Sequence, residues 1–311
     1  MTVFEAKELG RKKLKSSPSA VLDTSVILQW ITGFDKTTLL LKRDFILSPQ
    51  QESSFLNALE KRETGFPVAY ITGTKEFYGF DFFVTPDVLI PKPDSEILVD
   101  NALNALAQIY SNLEEKNSVM KKIPLVCDMC CGSGCLGLSV LKSLWKNDGI
   151  PLENLPKMTF IDISEKTLKI CKKNAQNLFD EDFFCKMNFV QSNLFEQSSV
   201  TFDLIITNPP YVPHCEAVKL LKDGRSEPLL ALDGDVDENG NYSGEDEGLS
   251  LIKRLVVQCF AHLCHGGLLI METGEYNAEK TAQLFIQAGF KQVKIEKDLN
   301  GMLRNILGVK N

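Results

Sequence analysis

Apolar positions over residues 1–75 recur with helical spacing. Val21, Leu22, Val26, Ile27, Trp30 and Ile31 lie near one helical face. Phe55, Leu56 and Leu59 repeat the pattern on a later segment that Pro49 opens. The expectation is a small helical domain, either a plain packing domain or a docking surface for a substrate. Residues 76–90 are aromatic and β-branched with turn residues inside, which predicts a β-hairpin. Pro91-Lys-Pro-Asp-Ser-Glu96 then stiffens the approach to a helix carrying Leu98, Ala102, Ala105, Leu106 and Ile109 on one face. Asp94 is the expected N-cap of that helix, with Glu96 at its positive end.

From residue 124 the pattern alternates between strand and helix. Strands are predicted at Pro124–Asp128, Met158–Asp162, Asn188–Gln191, Phe202–Thr207 and Gly267–Glu272. Helices are predicted at Lys166–Leu178 and Leu249–Leu263, and two final strands at Lys291–Glu296 and Leu303–Val309. Alternation of this kind argues an α/β fold with a doubly wound sheet. The chain divides at 1–75, 76–95 and 96–311, with no internal repeat.

Composition adds bounds. At 44% hydrophobic and 24% charged, the chain is ordinary globular protein. No apolar run approaches the roughly 20 residues of a membrane span, and the first residues lack a signal peptide's apolar segment. Nine scattered cysteines, an odd number, suggest reduced thiols in a cytoplasm. Net charge is −7; residues 1–85 carry 11 basic and 10 acidic side chains, so the rest carries −8. An acidic half of that kind is unpromising for salt-dependent binding to a phosphate backbone.

The sharpest candidate chemistry is Asn208-Pro209-Pro210-Tyr211, at the end of the strand Phe202–Thr207. A strand's carboxyl end is where open α/β sheets bind ligands. The Asn208 carbonyl can accept one hydrogen of a planar NH₂ group, and the Pro209 carbonyl can accept the other. Pro210 holds Pro209 extended, and Tyr211 can supply a flat wall. Preset acceptors of this kind favour a nitrogen that gains positive charge as it is methylated. The four letters alone also fit a simple proline turn.

A second cluster lies upstream. Leu125-Val-Cys-Asp128-Met-Cys130-Cys131-Gly132-Ser133-Gly134 is a strand followed by a glycine turn. Asp128 can accept from a cationic amino group, and Asp162, ending the next strand, can bind ribose hydroxyls. The turn is neither G-x-G-x-x-G nor a phosphate-cradling loop. A ribose acid, a glycine turn and an amine clamp together fit S-adenosylmethionine, whose sulfonium needs no phosphate anchor. Cys127, Cys130, Cys131 and Cys135 invite a metal reading, but no second ligand pair follows at zinc-like spacing. His262 and His265 mark a helix end, and His214 either lines the pocket or is a loop residue. Asp235-x-Asp237-x-Asn239-Gly240, with Asp246 at position twelve, matches a calcium-loop pattern without its preceding helix. A flexible acidic loop is the other reading.

These segments converge on a resemblance. The chain resembles the HemK-type protein-(glutamine-N5) methyltransferases, which modify peptide chain release factors. The likeness runs through Gly65–Gly73, Glu76–Gly79, Asp87–Glu96, the Asp128 turn, Asp162, Gln191–Phe195, Asn208–Pro213, Glu227–Leu232 and Asp298–Arg304. It implies a helical N-terminal domain, a hairpin bridge and a seven-stranded Rossmann-like class I methyltransferase sheet whose last strand is antiparallel. It implies methyl transfer from S-adenosylmethionine to the glutamine of a Gly-Gly-Gln motif. The cofactor loop maps onto Cys130–Gly134, the ribose acid onto Asp162, and the adenine neighbour onto Leu194, with Asn193 beside it among the cofactor-binding positions. The amide clamp maps onto Asn208–Tyr211, with Asn208 also touching the cofactor. The chain departs from the pattern with Cys130 at the first glycine, Leu194 for a common aromatic, Asn193 for an acid, and Lys92 and Ser95 for Arg and Thr. Two other functions compete: an adenine-N6 methyltransferase of DNA or RNA, and a non-catalytic cofactor-binding protein.

Overall fold

The computed structural model describes residues 1–115, 123–221, 226–298 and 300–311. Leu299, inside the closing Asp298–Arg304 segment, lies outside the described residues. The chain forms two compact units, Met1–Thr74 with Lys219–Ser226, and Lys75–Val218 with Glu227–Asn311.

The first unit holds helices α1 (Val3–Lys13), α2 (Ala20–Thr32), α3 (Lys36–Leu41), α4 (Pro49–Glu63) and α5 (Val68–Thr72). Reciprocal capping boxes start α1 (Thr2 with Glu5) and α4 (Ser48 with Gln51), and Pro49 occupies the first turn of α4. Val3, Ala6, Ile27, Leu28, Phe55 and Leu59 form its core. The face expected for α2 is corrected: Val21 and Leu22 are 65% and 63% exposed, while Asp23 and Thr24 turn inward. The cause is polar. Asp23 accepts from Arg62 Nε at 2.8 Å and from the hydroxyls of Ser17 and Ser19, each at 2.9 Å. A buried carboxylate so paired rotates the helix away from its simple apolar stripe.

The second unit begins with a hairpin, β1 (Thr74–Phe77) and β2 (Phe80–Phe83), shorter than the predicted 76–90. Asp94 is not the N-cap of α6 (Glu96–Glu115). Its carboxylate is 3.5 Å from Arg304 and accepts from Asn300, and a single 3₁₀ turn leads into the helix.

The sheet contains β3 (Leu125–Met129), β4 (Lys157–Asp162), β5 (Asn188–Gln191), β6 (Phe202–Thr207), β7 (Leu263–Glu272), β8 (Lys291–Lys297) and β9 (Leu303–Val309). Their order is β5-β4-β3-β6-β7-β9-β8, with β9 antiparallel to both neighbours. The other pairs are parallel. This is the seven-stranded methyltransferase sheet that the resemblance implied. Helices α7 (Cys135–Lys146), α8 (Glu165–Leu178), α9 (Glu181–Phe184), α10 (His214–Leu220), α11 (Ser250–His262) and α12 (Ala278–Ala288) complete the chain.

Both sheet faces are buried. Val126, Leu204 and Ile206 pack with α6 and α7, whereas Cys127, Ile205 and Leu269 pack with α11 and α12. That double burial explains why β3 and β6 are continuous apolar runs rather than alternating ones. Among the described residues no helix is long and apolar enough to cross a membrane.

Candidate active site

Strand order sets the site. From β3 the chain runs outward through β4 and β5, then returns to place β6 on the other side of β3. The connections leaving β3 and β6 therefore diverge and open a crevice at their carboxyl ends. Every segment singled out from the sequence emerges on that edge: the Cys130 turn after β3, Asp162 ending β4, Asn193 after β5 and Asn208 after β6.

One cavity is lined by Cys130, Cys131, Gly132 and Ser133, by Asp162, by Asn193 and Leu194, and by Asn208 and Pro210. Lys92, Ser95, Val236 and Asp237 line it as well. Asp128, Gly134, Pro209 and Tyr211 are not on its wall. Asp128 is fully buried beneath the turn, where Oδ2 accepts from Gly137 N at 2.9 Å and Oδ1 has no hydrogen-bond partner among the described residues. Pro209 is buried. Tyr211 packs into the core and donates its hydroxyl to Glu272 Oε1 at 3.1 Å.

The turn after β3 is held from β4. Asp162 Oδ2 accepts from Gly132 N at 3.1 Å, and Oδ1 accepts from Ser164 N at 2.9 Å. Gly132 sits at φ 55° with open space where a Cβ would project, so a ligand can approach its backbone closely. Gly134 sits at φ 78°, and a Cβ there would lie 2.5 Å from Cys171 Sγ.

Cys130 takes φ +57°, the left-handed conformation that a glycine adopts freely. The turn is therefore not remodelled around cysteine; the side chain is carried at a cost. Cys130→Gly is expected to release about 1 kcal/mol of strain and to raise the thermal midpoint by about 2 °C, checked by calorimetry. Leu194 shares the left-handed conformation, with φ +53°.

The acidic loop is ordered by its own carboxylates. Asp235 accepts from Gly248 N at 2.7 Å, Leu249 N at 3.2 Å and Ser250 Oγ at 3.1 Å. Asp237 accepts from Asn239 N and Asn241 N, both at 2.8 Å. Carboxylates spent on backbone amides have little to offer calcium. Among the described residues no group of three or more His, Cys, Asp or Glu side chains is placed to hold a metal. The loop instead walls the cavity: Asn193 Nδ2 donates to Glu238 O at 2.9 Å, and Arg254 holds Val236 O and Asp237 O at 3.0 and 2.9 Å. His214 is held by Asp233 at 2.6 Å and stacks on Tyr242. His262 ends α11 and His265 lies in β7. None of the nine cysteines is paired in a disulfide among the described residues.

Two family descriptions match the chain: the PrmC N-terminal domain over residues 5–73, and the methyltransferase small domain over residues 95–223. A release factor glutamine methyltransferase of Leptospira interrogans is 32% identical over 310 residues, covering 99% of this chain and 96% of the relative. The chain belongs to the release factor glutamine methyltransferase family. A second member, from Koribacter versatilis, is 31% identical and covers 100% of this chain and 99% of its own. A third, from Clostridium acetobutylicum, is 30% identical over 93% of this chain and 90% of its own.

Within this family framework, reasoning from the sequence missed Glu272, Ser95 as a partner of Asn208, and the cavity wall at 236–240. Glu272 carried a signal: it is an acid closing the apolar run Leu268-Leu-Ile-Met271 at a strand's carboxyl end. Burial raises its pKa, against the hydrogen bond from Tyr211.

Proposed function

We propose that this protein uses S-adenosylmethionine to methylate the side-chain amide nitrogen of the glutamine in a release factor's Gly-Gly-Gln motif. One observation carries the reading. Asn208 stands on the same cavity wall as Gly132 and Asp162, with its NH₂ end donated to Ser95 Oγ at 3.1 Å. Its carbonyl end is thereby left for an incoming N–H donor. The full-length relatives named for this activity support the choice of glutamine over adenine, as does the acidic balance of residues 86–311. The partner is a release factor, with no direct nucleic-acid contact. Nine cysteines with no disulfide among the described residues suit a cytoplasmic setting.

The residues present fit the cofactor. Bound S-adenosylmethionine supplies an electrophilic methyl group on a cationic sulfur. Gly132 would allow close backbone approach, Asp162 would offer a carboxylate to ribose hydroxyls, and Leu194, with Asn193 beside it on the cavity wall, would neighbour the adenine. Tyr211, held by Glu272, braces the clamp from behind rather than walling the cavity. Catalysis then rests on positioning and on the fixed acceptor Asn208 Oδ1, because Pro209, whose carbonyl the sequence offered as a second acceptor, is buried off the cavity wall.

Asp128 gives a pH-dependent prediction. Burial first, and the nearby Asp162 second, push its carboxyl up to about 8, against the pull of the Gly137 amide. The folded protein thus keeps a proton that the unfolded chain loses near pH 4, so this group's contribution to stability falls as pH rises from about 4 to about 8. A cationic ligand near the unpartnered Oδ1 favours the ionised form. Cofactor binding at pH 7 is expected to release close to one proton, measured by calorimetry in buffers of different ionisation enthalpy. No release would confine Asp128 to bracing the turn.

The reading is tested by offering labelled S-adenosylmethionine with release factor, DNA or RNA. Label on the release factor supports it, and label confined to nucleic acid refutes it.

A further inference from the structure

Part of the cavity wall is a thin strap. Val236, Asp237 and Gly240 line the cavity, while Glu238, Asn239 and Gly240 are exposed to solvent. The strap lies beside the segment after β5: Glu238 O accepts from Asn193 Nδ2 at 2.9 Å. Val236 packs against the apolar cluster that contains the buried Leu194. With cavity on one side and water on the other, the strap has little apolar packing to hold it. Segments of that kind open at low free energy unless polar contacts fasten them.

Within itself the strap is stiff. Asp237 N donates to Asn241 O at 2.7 Å, and Gly240 N donates to Asp237 O at 3.1 Å. The Asp237 carboxylate accepts from Asn239 N and Asn241 N, and Val236 bridges Tyr242. It therefore moves as a unit, and its position is set by what holds it from outside. Arg254, on α11, is the charged clasp: its Nη2 donates to Val236 O at 3.0 Å and to Asp237 O at 2.9 Å. Leu251 and Arg254 are three apart on one face of α11, and both line the cavity. A guanidinium stays charged and presents its donors in a fixed plane, so both bonds are of the stronger, charge-assisted kind.

We infer that the strap closes the adenine end of the cofactor site, and that Arg254, which holds it there, is a positioning residue for the cofactor. The inference rests on the reading that Leu194 neighbours the adenine. Leu194 offers that base no aromatic face, and Val236, held at its place by Arg254, adds an apolar contact from the other chain segment. The clasp is separate from the amide clamp, since Asn208 is anchored by Ser95. Its loss therefore weakens binding and leaves the transfer step intact.

The test is calorimetric titration of Arg254→Ala, Arg254→Lys, Val236→Ala and the Arg254→Ala/Val236→Ala double variant. The ligands are S-adenosylmethionine and methylthioadenosine, which lacks the amino-acid end. Arg254→Ala is expected to weaken both ligands by the same factor, about tenfold, with kcat at saturating cofactor within about twofold of wild type. Lysine keeps the charge without the planar fork, so Arg254→Lys should fall between. Val236→Ala trims the wall and leaves the clasp, and is expected to cost about threefold. Once the clasp is gone Val236 is no longer in place, so the double variant should bind as Arg254→Ala does. Methylthioadenosine affinity within about twofold of wild type in Arg254→Ala, or losses that multiply in the double variant, would overturn the proposal. If Arg254→Ala does not fold, Arg254→Lys and Val236→Ala decide, and wild-type affinity in both overturns it. Asp162→Ala separates the two levels. If it binds weakly while the strap variants bind like wild type, the strap's role fails alone; if it too binds like wild type, the underlying reading of the cavity fails.

Discussion

Replacing Asn208 with alanine is expected to lower turnover by about 10²-fold or more, while cofactor affinity falls far less. The side chain stands at the end of β6, where the reversal of strand order opens the crevice, and it lines the cavity. Its amide is anchored on one side only, by Ser95. On the proposed reading, alanine removes the preset acceptor that Asn208 Oδ1 offers to the substrate nitrogen. A single-turnover rate at saturating cofactor, set beside a cofactor titration, separates the two effects. Wild-type turnover in Asn208→Ala would contradict the assigned chemistry.

Replacing Asp162 with alanine is expected to act in the opposite way, weakening cofactor binding by about 10²-fold, or about 2.7 kcal/mol. The carboxylate has two tasks. It is the expected ribose ligand, and it holds the glycine turn through Gly132 N at 3.1 Å. Alanine frees the Gly132 amide that ties the turn to β4 and, on the proposed reading, removes the ribose acceptor. Charge-assisted bonds of this type are the stronger ones, so the loss exceeds that of a neutral pair. Asp162→Asn, which keeps one acceptor, should fall between. Calorimetric titration with S-adenosylmethionine checks the pair. An affinity for Asp162→Ala within about threefold of wild type would remove the residue from the cofactor site.

Much of this architecture could be read from the chain because the central strands are buried on both faces. Phe202–Thr207, buried on both faces, falls where its apolar run placed it, and Leu303–Val309 and the edge strand Asn188–Gln191 also keep their predicted bounds. β7 begins four residues before the predicted Gly267 because its first part reads as polar Cys264-His-Gly-Gly. Gly266 there takes φ +80°, and the pairing with β6 shifts register between Phe202 and Leu204. Local pattern does not report such an irregularity. The buried face of α2 was hidden for another reason: Arg62, from a different helix, decides that Asp23 goes inside. The site divides along the same line. Cys130–Gly134, Asp162 and Asn208 are continuous with strand ends and carry their own signals. Ser95 meets Asn208, and Glu272 meets Tyr211, only after the sheet assembles, so no spacing rule joins them. Leu249, predicted to start α11, caps it instead, and the fold tolerates that shift without consequence for the cavity.

The most direct test of the central claim is to incubate the protein with S-adenosylmethionine and release factor, then map the product by peptide mass spectrometry. The account predicts one added methyl group, located on the glutamine side chain of the Gly-Gly-Gln motif and missing when Asn208→Ala is used. A methyl group on any other residue, or an unmodified release factor alongside methylated adenine in added nucleic acid, would contradict it.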